Sequence, residues 1–221
     1  MKYLFYLFAC CILISCQQAN KTSDKQDTQQ IKTATAPNDL IATDSNITNP
    51  SSIAEIKKAF TATNAKLLEK RLDSITYQYD CNQERAGTIT YFTEKGKLLL
   101  IKHSYNEYDH YSANDYYFIS NDSLYFANLN STYWSFESGS AAQAATKDEV
   151  TEKRIYIVNE QAELCLEKKY TIHSNNKDPK IAAAMQNKQI SCKTINPLLS
   201  DFNNLLLFRN SSNKKCLEKT S

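Results

Sequence analysis

Hydrophobic and polar positions follow four different rhythms along this chain, and each change of rhythm marks a boundary. Tyr3 to Ile14 form an unbroken apolar run behind Lys2, whereas Gln17 to Ser52 are polar, contain no aromatic residue and are interrupted by Pro37 and Pro50. Apolar residues then recur at helical spacing from Ile53 to Leu68, and from Ile75 the period drops to two. Ser52 with Glu55 three residues on reads as a capping box, and Ile53, Ile56, Phe60, Asn64, Leu67 and Leu68 fall on one stripe. Lys57, Lys58, Lys66, Glu69 and Lys70 occupy the rest of the circumference, so a helix is predicted to lie on a sheet with its back in water.

The period-two region is dense in β-branched and aromatic residues. Strands are predicted near Ile75–Asp80, Gly87–Thr93, Lys97–Tyr105, Asp115–Ser120, Ser123–Leu129, Thr132–Phe136, Lys153–Val158 and Glu163–Ile172. Glu94-Lys95-Gly96, Ser120-Asn121-Asp122 and Asn159-Glu160-Gln161 are short polar turns, too brief for a parallel crossover, so neighbouring strands must be antiparallel. Pro179 to Asn187 and Pro197 to Phe208 return to helical spacing with Pro at the first turn, and are expected to close an open end of the sheet. The stretch Glu137 to Thr151 is longer than a hairpin needs and reads as a mobile connection with room for a short Ala-rich helix. The expected fold class is α+β: a curved antiparallel β-meander of about seven to nine strands, packed against an N-terminal helix and C-terminal helices.

The N-terminal run fixes a different property. A helix of its length spans roughly 18 Å, short of the roughly 30 Å hydrocarbon core, and a charge heads it, which is the build of an export signal. Leu13-Ile14-Ser15-Cys16 resembles the lipobox of bacterial lipoproteins. That resemblance implies cleavage before Cys16, acylation of its thiol, and loss of Cys10 and Cys11 with the signal. Gln17, in place of an Asp after the acylated Cys, implies the outer membrane of a bacterial envelope. Several acyl chains on one residue anchor firmly, where a single chain anchors marginally. The domains expected are residues 1–15 as lipoprotein signal peptide, 16–52 as lipidated Cys and flexible tether, and 53–221 as a single α+β domain. The tether is too polar to offset its ordering entropy and, as a coil, reaches about 30 to 35 Å.

Composition narrows the chemistry. Only three Gly occur, Gly87, Gly96 and Gly139, so glycine loops that cradle phosphates or dinucleotides are excluded. No Gly-x-Ser-x-Gly elbow and no His-Glu-x-x-His helix is present. A net charge of +2 with no basic stripe argues against nucleic acid as partner. Cys81, Cys165, Cys192 and Cys216 remain after the acylated residue, an even number for an oxidising compartment, and no Cys-x-x-Cys pair suggests a metal. Three disulfide pairings are open; Cys192 with Cys216 would pin the tail and leave Cys81 with Cys165 to link two strands.

One constellation suits acid–base or metal chemistry: His103, Glu107, Asp109, His110 and Asp115 lie close together in the chain, with His103, Asp109 and His110 as the candidate metal ligands. The plainer reading is a solvated hairpin loop, whose Asn, Asp and Ser content turns require in any case, and His173 reads as a surface residue. Tyr and Phe crowd both faces of the predicted sheet, from Tyr77 through Tyr116, Tyr117, Phe118 and Tyr125 to Phe136. One face should meet helices, and the other would offer an amphipathic Tyr-rich surface to sugars, peptides or a protein. The segment Gly87 to Tyr125 and the stretch Leu164 to Tyr170 resemble small uncharacterised envelope lipoproteins of Gram-negative bacteria, a resemblance that implies an α+β domain and no functional residue.

The function expected is non-enzymatic: an envelope lipoprotein, held to the membrane by its lipid, that binds a protein partner or small ligand through its sheet, without cofactor. Two alternatives stand beside it. A carrier or sensor of a hydrophobic ligand would need an apolar cavity of several hundred Å3, on the scale of roughly 300–1,000 Å3 seen for ligand sites. A metal-dependent hydrolase would be centred on His103, Asp109 and His110.

Overall fold

Ser52 starts the fold: its side chain accepts a hydrogen bond from the Glu55 N–H at 3.3 Å, while the Glu55 carboxylate reaches back to the Ser51 N–H at 2.7 Å. The capping box is thus displaced by one residue in its return bond. These contacts belong to a computed structural model that describes residues 48–138, 145–175 and 180–217. Cys16, the lipobox and the tether up to residue 47 lie outside the described residues, as do the middle of the expected mobile connection and Pro179.

The capped helix α1 spans Ile53–Leu68. Eight strands follow: β1 (Asp73–Cys81), β2 (Arg85–Glu94), β3 (Lys97–Glu107), β4 (Tyr111–Ser120), β5 (Ser123–Phe136), β6 (Thr146–Val158), β7 (Gln161–His173) and β8 (Lys188–Ile190). They form one antiparallel sheet in the order of the chain, an α+β meander that does not close. A one-turn helix α2 (Ile181–Ala184) precedes β8, and α3 (Asn196–Asn210) ends the regular structure.

Three hairpins share one design. Lys95–Gly96, Asn121–Asp122 and Asn159–Glu160 all have positive φ at both residues, the two-residue turn whose twist matches that of the flanking strands. Close to each turn the register slips by one, at Phe92/Thr93, Phe118/Ile119 and Tyr156/Ile157. Bulges bend the strand that carries them, and three at the same end curl the sheet there.

The curled end receives α1. Ile56 is fully buried, and Ile53, Ala59, Phe60 and Leu67 pack on Phe92, Leu100, Phe118, Phe126 and Tyr156. Phe60 meets Phe118 and Phe126 edge-on at 5.0 and 5.2 Å. Leu68, expected on this stripe, is 74% exposed, because one residue past Leu67 is a 100° turn off the contact face.

The opposite face carries α3. Leu198, Phe202, Leu205 and Phe208 are buried against Tyr79, Ile89, Tyr91, Ile101, Tyr117 and Ala127, and Tyr91 donates its hydroxyl hydrogen to the Leu205 carbonyl at 2.6 Å. Each such side chain contributes roughly 1.5–3 kcal/mol of burial. The expectation that this helix closes an end of the sheet is therefore corrected: it covers a face. The expected Tyr-rich open face is corrected with it, since Tyr79, Tyr91, Tyr117, Tyr125 and Tyr156 are buried under one helix or the other.

Several boundaries also differ. β5 runs without a break through Asn130–Ser131, which pair with Glu152 and Thr151. β4 begins at Tyr111 and β6 at Thr146, so the connection expected to reach Thr151 ends earlier. The helix expected at 179–187 shortens to a single turn, and β8, absent from the expected strands, pairs with Cys165–Glu167. The disulfides join Cys81 to Cys216 and Cys165 to Cys192, so the pairing of Cys192 with Cys216 is corrected. Cys216 is brought to β1 because the tail aligns beside it, the Asp80 N–H donating to the Lys215 carbonyl at 2.8 Å.

Candidate functional site

Period two sends alternate residues of β1–β4 to opposite faces, and the two faces do different work. On the α3 face the register sets Arg85 opposite Glu107 and His103 opposite Asp115. Arg85 Nε lies 3.3 Å from a Glu107 carboxylate oxygen, and its guanidinium sits over the Tyr105 ring, 4.6 Å from the centroid. The His103 ring stacks on Tyr105 at 4.4 Å, and its Nε2 is hydrogen-bonded to the Tyr79 hydroxyl at 2.8 Å. Asp115 accepts the Asn130 N–H at 3.2 Å.

Burial decides the charge of this cluster. His103 is 3% exposed; desolvation, helped by the Arg85 charge, pushes its imidazole down to about 3, so it is neutral. Asp115 is 7% exposed; desolvation, opposed by the Asn130 N–H and reinforced by Asp201, pushes its carboxyl up to about 7. Desolvation also raises the Tyr79 hydroxyl to about 12. Beside these groups lies a cavity of about 20 Å3 lined by Arg85, His103, Tyr105, Tyr117, Asp201 and Asn204, room for one water molecule. The stacked and hydrogen-bonded rings and the ion pair of this cluster tie β1, β2 and β3 together beneath α3.

The constellation of sequence-adjacent acids and imidazoles is thereby divided. Glu107 and the hairpin end lie roughly 13 Å along the strand from His103. There His110 Nδ1 is 3.0 Å from the Trp134 carbonyl, its ring packs on that indole at 4.1 Å, and the Asp109 carbonyl accepts the indole N–H. Among the described residues no group of three or more His, Cys, Asp or Glu side chains is placed to hold a metal ion. His103, Asp109 and His110 thus do not converge, a correction to their reading as one ligand set. His173 pairs with Glu137 at the end of β7, half-exposed as expected of a surface residue.

The other face of β1–β4 is open. Gln78, Thr88, Ser104 and Asn114 form one row across four strands, and Asp80, Ala86, Asn106 and Ser112 form the next. At about 4.8 Å between strands and about 6.6 Å between alternate residues, the two rows cover roughly 14 by 7 Å. They line a groove of about 850 Å3, with Lys214 and Lys215 at its β1 side. The Ser104 hydroxyl donates to Asn114 Oδ1 at 2.7 Å, leaving the amide nitrogen and the neighbouring hydroxyls facing the groove. α1 covers only the apolar rows at the far end of this face. Those polar positions escaped notice in the sequence because hydroxyl and amide residues in strands resemble turn formers; their common parity was the available signal.

Gly87 joins the two faces. A Cβ there would lie 2.6 Å from the Ser104 carbonyl oxygen and 2.8 Å from the Tyr79 hydroxyl. Gly87→Ala is expected to destabilise by about 1–3 kcal/mol, as overpacking does, and to displace Tyr79 from His103. Urea unfolding gives the first quantity, and the imidazole NMR shift of His103 reports the second; an unmoved His103 signal would contradict the geometry.

Comparison with protein-family models, with curated proteins and with solved structures finds no match to this chain. No helix among the described residues is long and apolar enough to cross a membrane.

Proposed function

We propose that this chain is a lipid-anchored envelope protein whose sheet binds a neutral, hydroxyl-rich ligand, a glycan, in the groove over β1–β4. The observation that carries the binding half is the double row of uncharged hydrogen-bonding side chains, Gln78, Thr88, Ser104, Asn114, Asn106 and Ser112, on the part of this face that α1 leaves uncovered. Amide and hydroxyl groups donate and accept at once, as sugar hydroxyls do, and a rigid strand scaffold places them without ordering cost at binding. Ions would find Asp80 and Lys215 at one edge, the Lys214 ammonium turned to the Phe208 and Arg209 carbonyls on the α3 face, and no charge in the middle. The anchoring half is supported by Leu13-Ile14-Ser15-Cys16 behind a short apolar run, and the acylated residue would be Cys16.

Two measurements test the halves separately. Labelled palmitate is expected to enter the chain and to be lost in Cys16→Ser; incorporation that survives the substitution would remove the anchor. Screening the full chain against a panel of bacterial envelope oligosaccharides is expected to find ligands whose affinity drops at least tenfold, about 1.4 kcal/mol, in Ser104→Arg and Asn114→Arg. Both sites face solvent or are half-buried, so thermal stability should hold in these variants. Binding indifferent to both substitutions would exclude the groove.

A further inference from the structure

A second cavity, of about 410 Å3, lies on the α3 face where β6 and β7 meet the start of α3. Its size falls within the roughly 300–1,000 Å3 of small-molecule sites. Ile155, Ile190, Ile195 and Leu198 supply apolar wall. Ile190 is 36% exposed on a strand whose three residues all face solvent, an unusual place for a large apolar side chain unless something covers it. The mouth is charged: Lys153, Lys169 and Lys193 line it and are exposed, against one acid, Glu167, which is 3.0 Å from Lys169. Lys153 also stands opposite Glu167 in the β6–β7 register. Lys193 follows directly on the Cys165–Cys192 disulfide, which ties the outer wall of the cavity to β7.

From an apolar wall and a mouth with an excess of two positive charges, we infer that this cavity binds a single-chain anionic amphiphile, an alkyl chain ending in carboxylate or phosphate. The chain lies against Ile155, Ile190 and Leu198, and the head is met by Lys153 and Lys193. The inference is independent of the glycan groove, which occupies the other face and other strands.

Titration of the full chain carrying Cys16→Ser, without detergent and below micelle-forming concentrations, tests it with dodecanoate, dodecyl phosphate, dodecanol and inorganic phosphate as probes. Saturable one-to-one binding of both anionic amphiphiles is expected, with affinity rising about fourfold per methylene from octanoate upward. Lys153→Gln with Lys193→Gln should weaken dodecanoate at least tenfold and leave dodecanol unchanged, whereas Ile190→Ser should weaken both. These are exposed positions, so a melting curve separates lost binding from lost fold. No binding of dodecanoate, or equal binding of dodecanol, overturns the inference. Capture of phosphatidylglycerol vesicles without binding of monomeric dodecanoate overturns it too, since it assigns the lysines to a membrane surface. Effects confined to Ser104→Arg would place the amphiphile in the groove and overturn the assignment of this cavity.

Discussion

Replacing Cys81 and Cys216 together by Ser should lower the unfolding free energy by about 5 kcal/mol in the chain-entropy description, because the bond closes a loop of 135 residues. The same description gives about 3.5 kcal/mol for Cys165–Cys192, whose loop is 27 residues. For a domain of this size each kcal/mol moves the melting temperature by roughly 2–4 °C, so the first loss is worth about 10–20 °C. Against a total of about 5–15 kcal/mol, either loss threatens the folded state at growth temperature. Urea unfolding of the two double variants, with and without reductant, checks the ranking. A larger effect of the shorter loop would mean that native contacts around Cys165–Cys192, rather than chain entropy, set the contribution. Local packing does favour the long loop as well: Leu217 is buried beside the bond, and its carbonyl accepts from Arg85 at 3.4 Å.

The stability difference between Asp115→Asn and the parent should rise by about 1.4 kcal/mol per pH unit from pH 4 to pH 7, on the order of 4 kcal/mol in all. The carboxyl holds its proton to about pH 7 when folded and to its ordinary value of 3.8 when unfolded. Its contribution is therefore full below about pH 4 and is lost as pH rises through 7, a loss Asn cannot suffer. His103 acts in the other sense: its folded value of about 3 lies under the ordinary 6.5, so its contribution is full above pH 6.5 and is lost as pH falls through 3. Between about pH 4 and 6.5 the two slopes oppose each other, and the parent's response from this pair is level. Urea midpoints of parent and variant at pH 4.5, 5.5 and 6.5 decide the matter. A difference that stays constant would mean that Asp115 is ionised in the fold.

The meander was legible in the sequence because its signals are local. Alternating Tyr, Ile and Thr, and turns whose two central residues accept positive φ, need no distant partner to be read. The start of α1 was legible for the same reason, through Ser52. What stayed hidden depends on contacts between distant parts of the chain. Whether α3 lies at an end or on a face is settled by Leu205 and Phe208 meeting Tyr91 and Tyr79, more than a hundred residues away. The disulfide pairing follows from the tail's alignment with β1, to which its own sequence offers no clue. Asn130 and Ser131 resemble a turn because, in the middle of β5, one serves the open face and the other a sparsely covered part of the α3 face. The candidate acids and imidazoles resemble a site because they are close in sequence; alternation and the hairpin end separate them in space.

The tail's seat against β1 also sets a timetable. The edge strand is among the first parts of the domain to be synthesised, and its covalent mate is nearly the last. No portion of the chain emerging from a ribosome can complete this domain ahead of residue 216. The sheet must wait, with β1 uncovered, until the tail has been made and the two thiols have been oxidised.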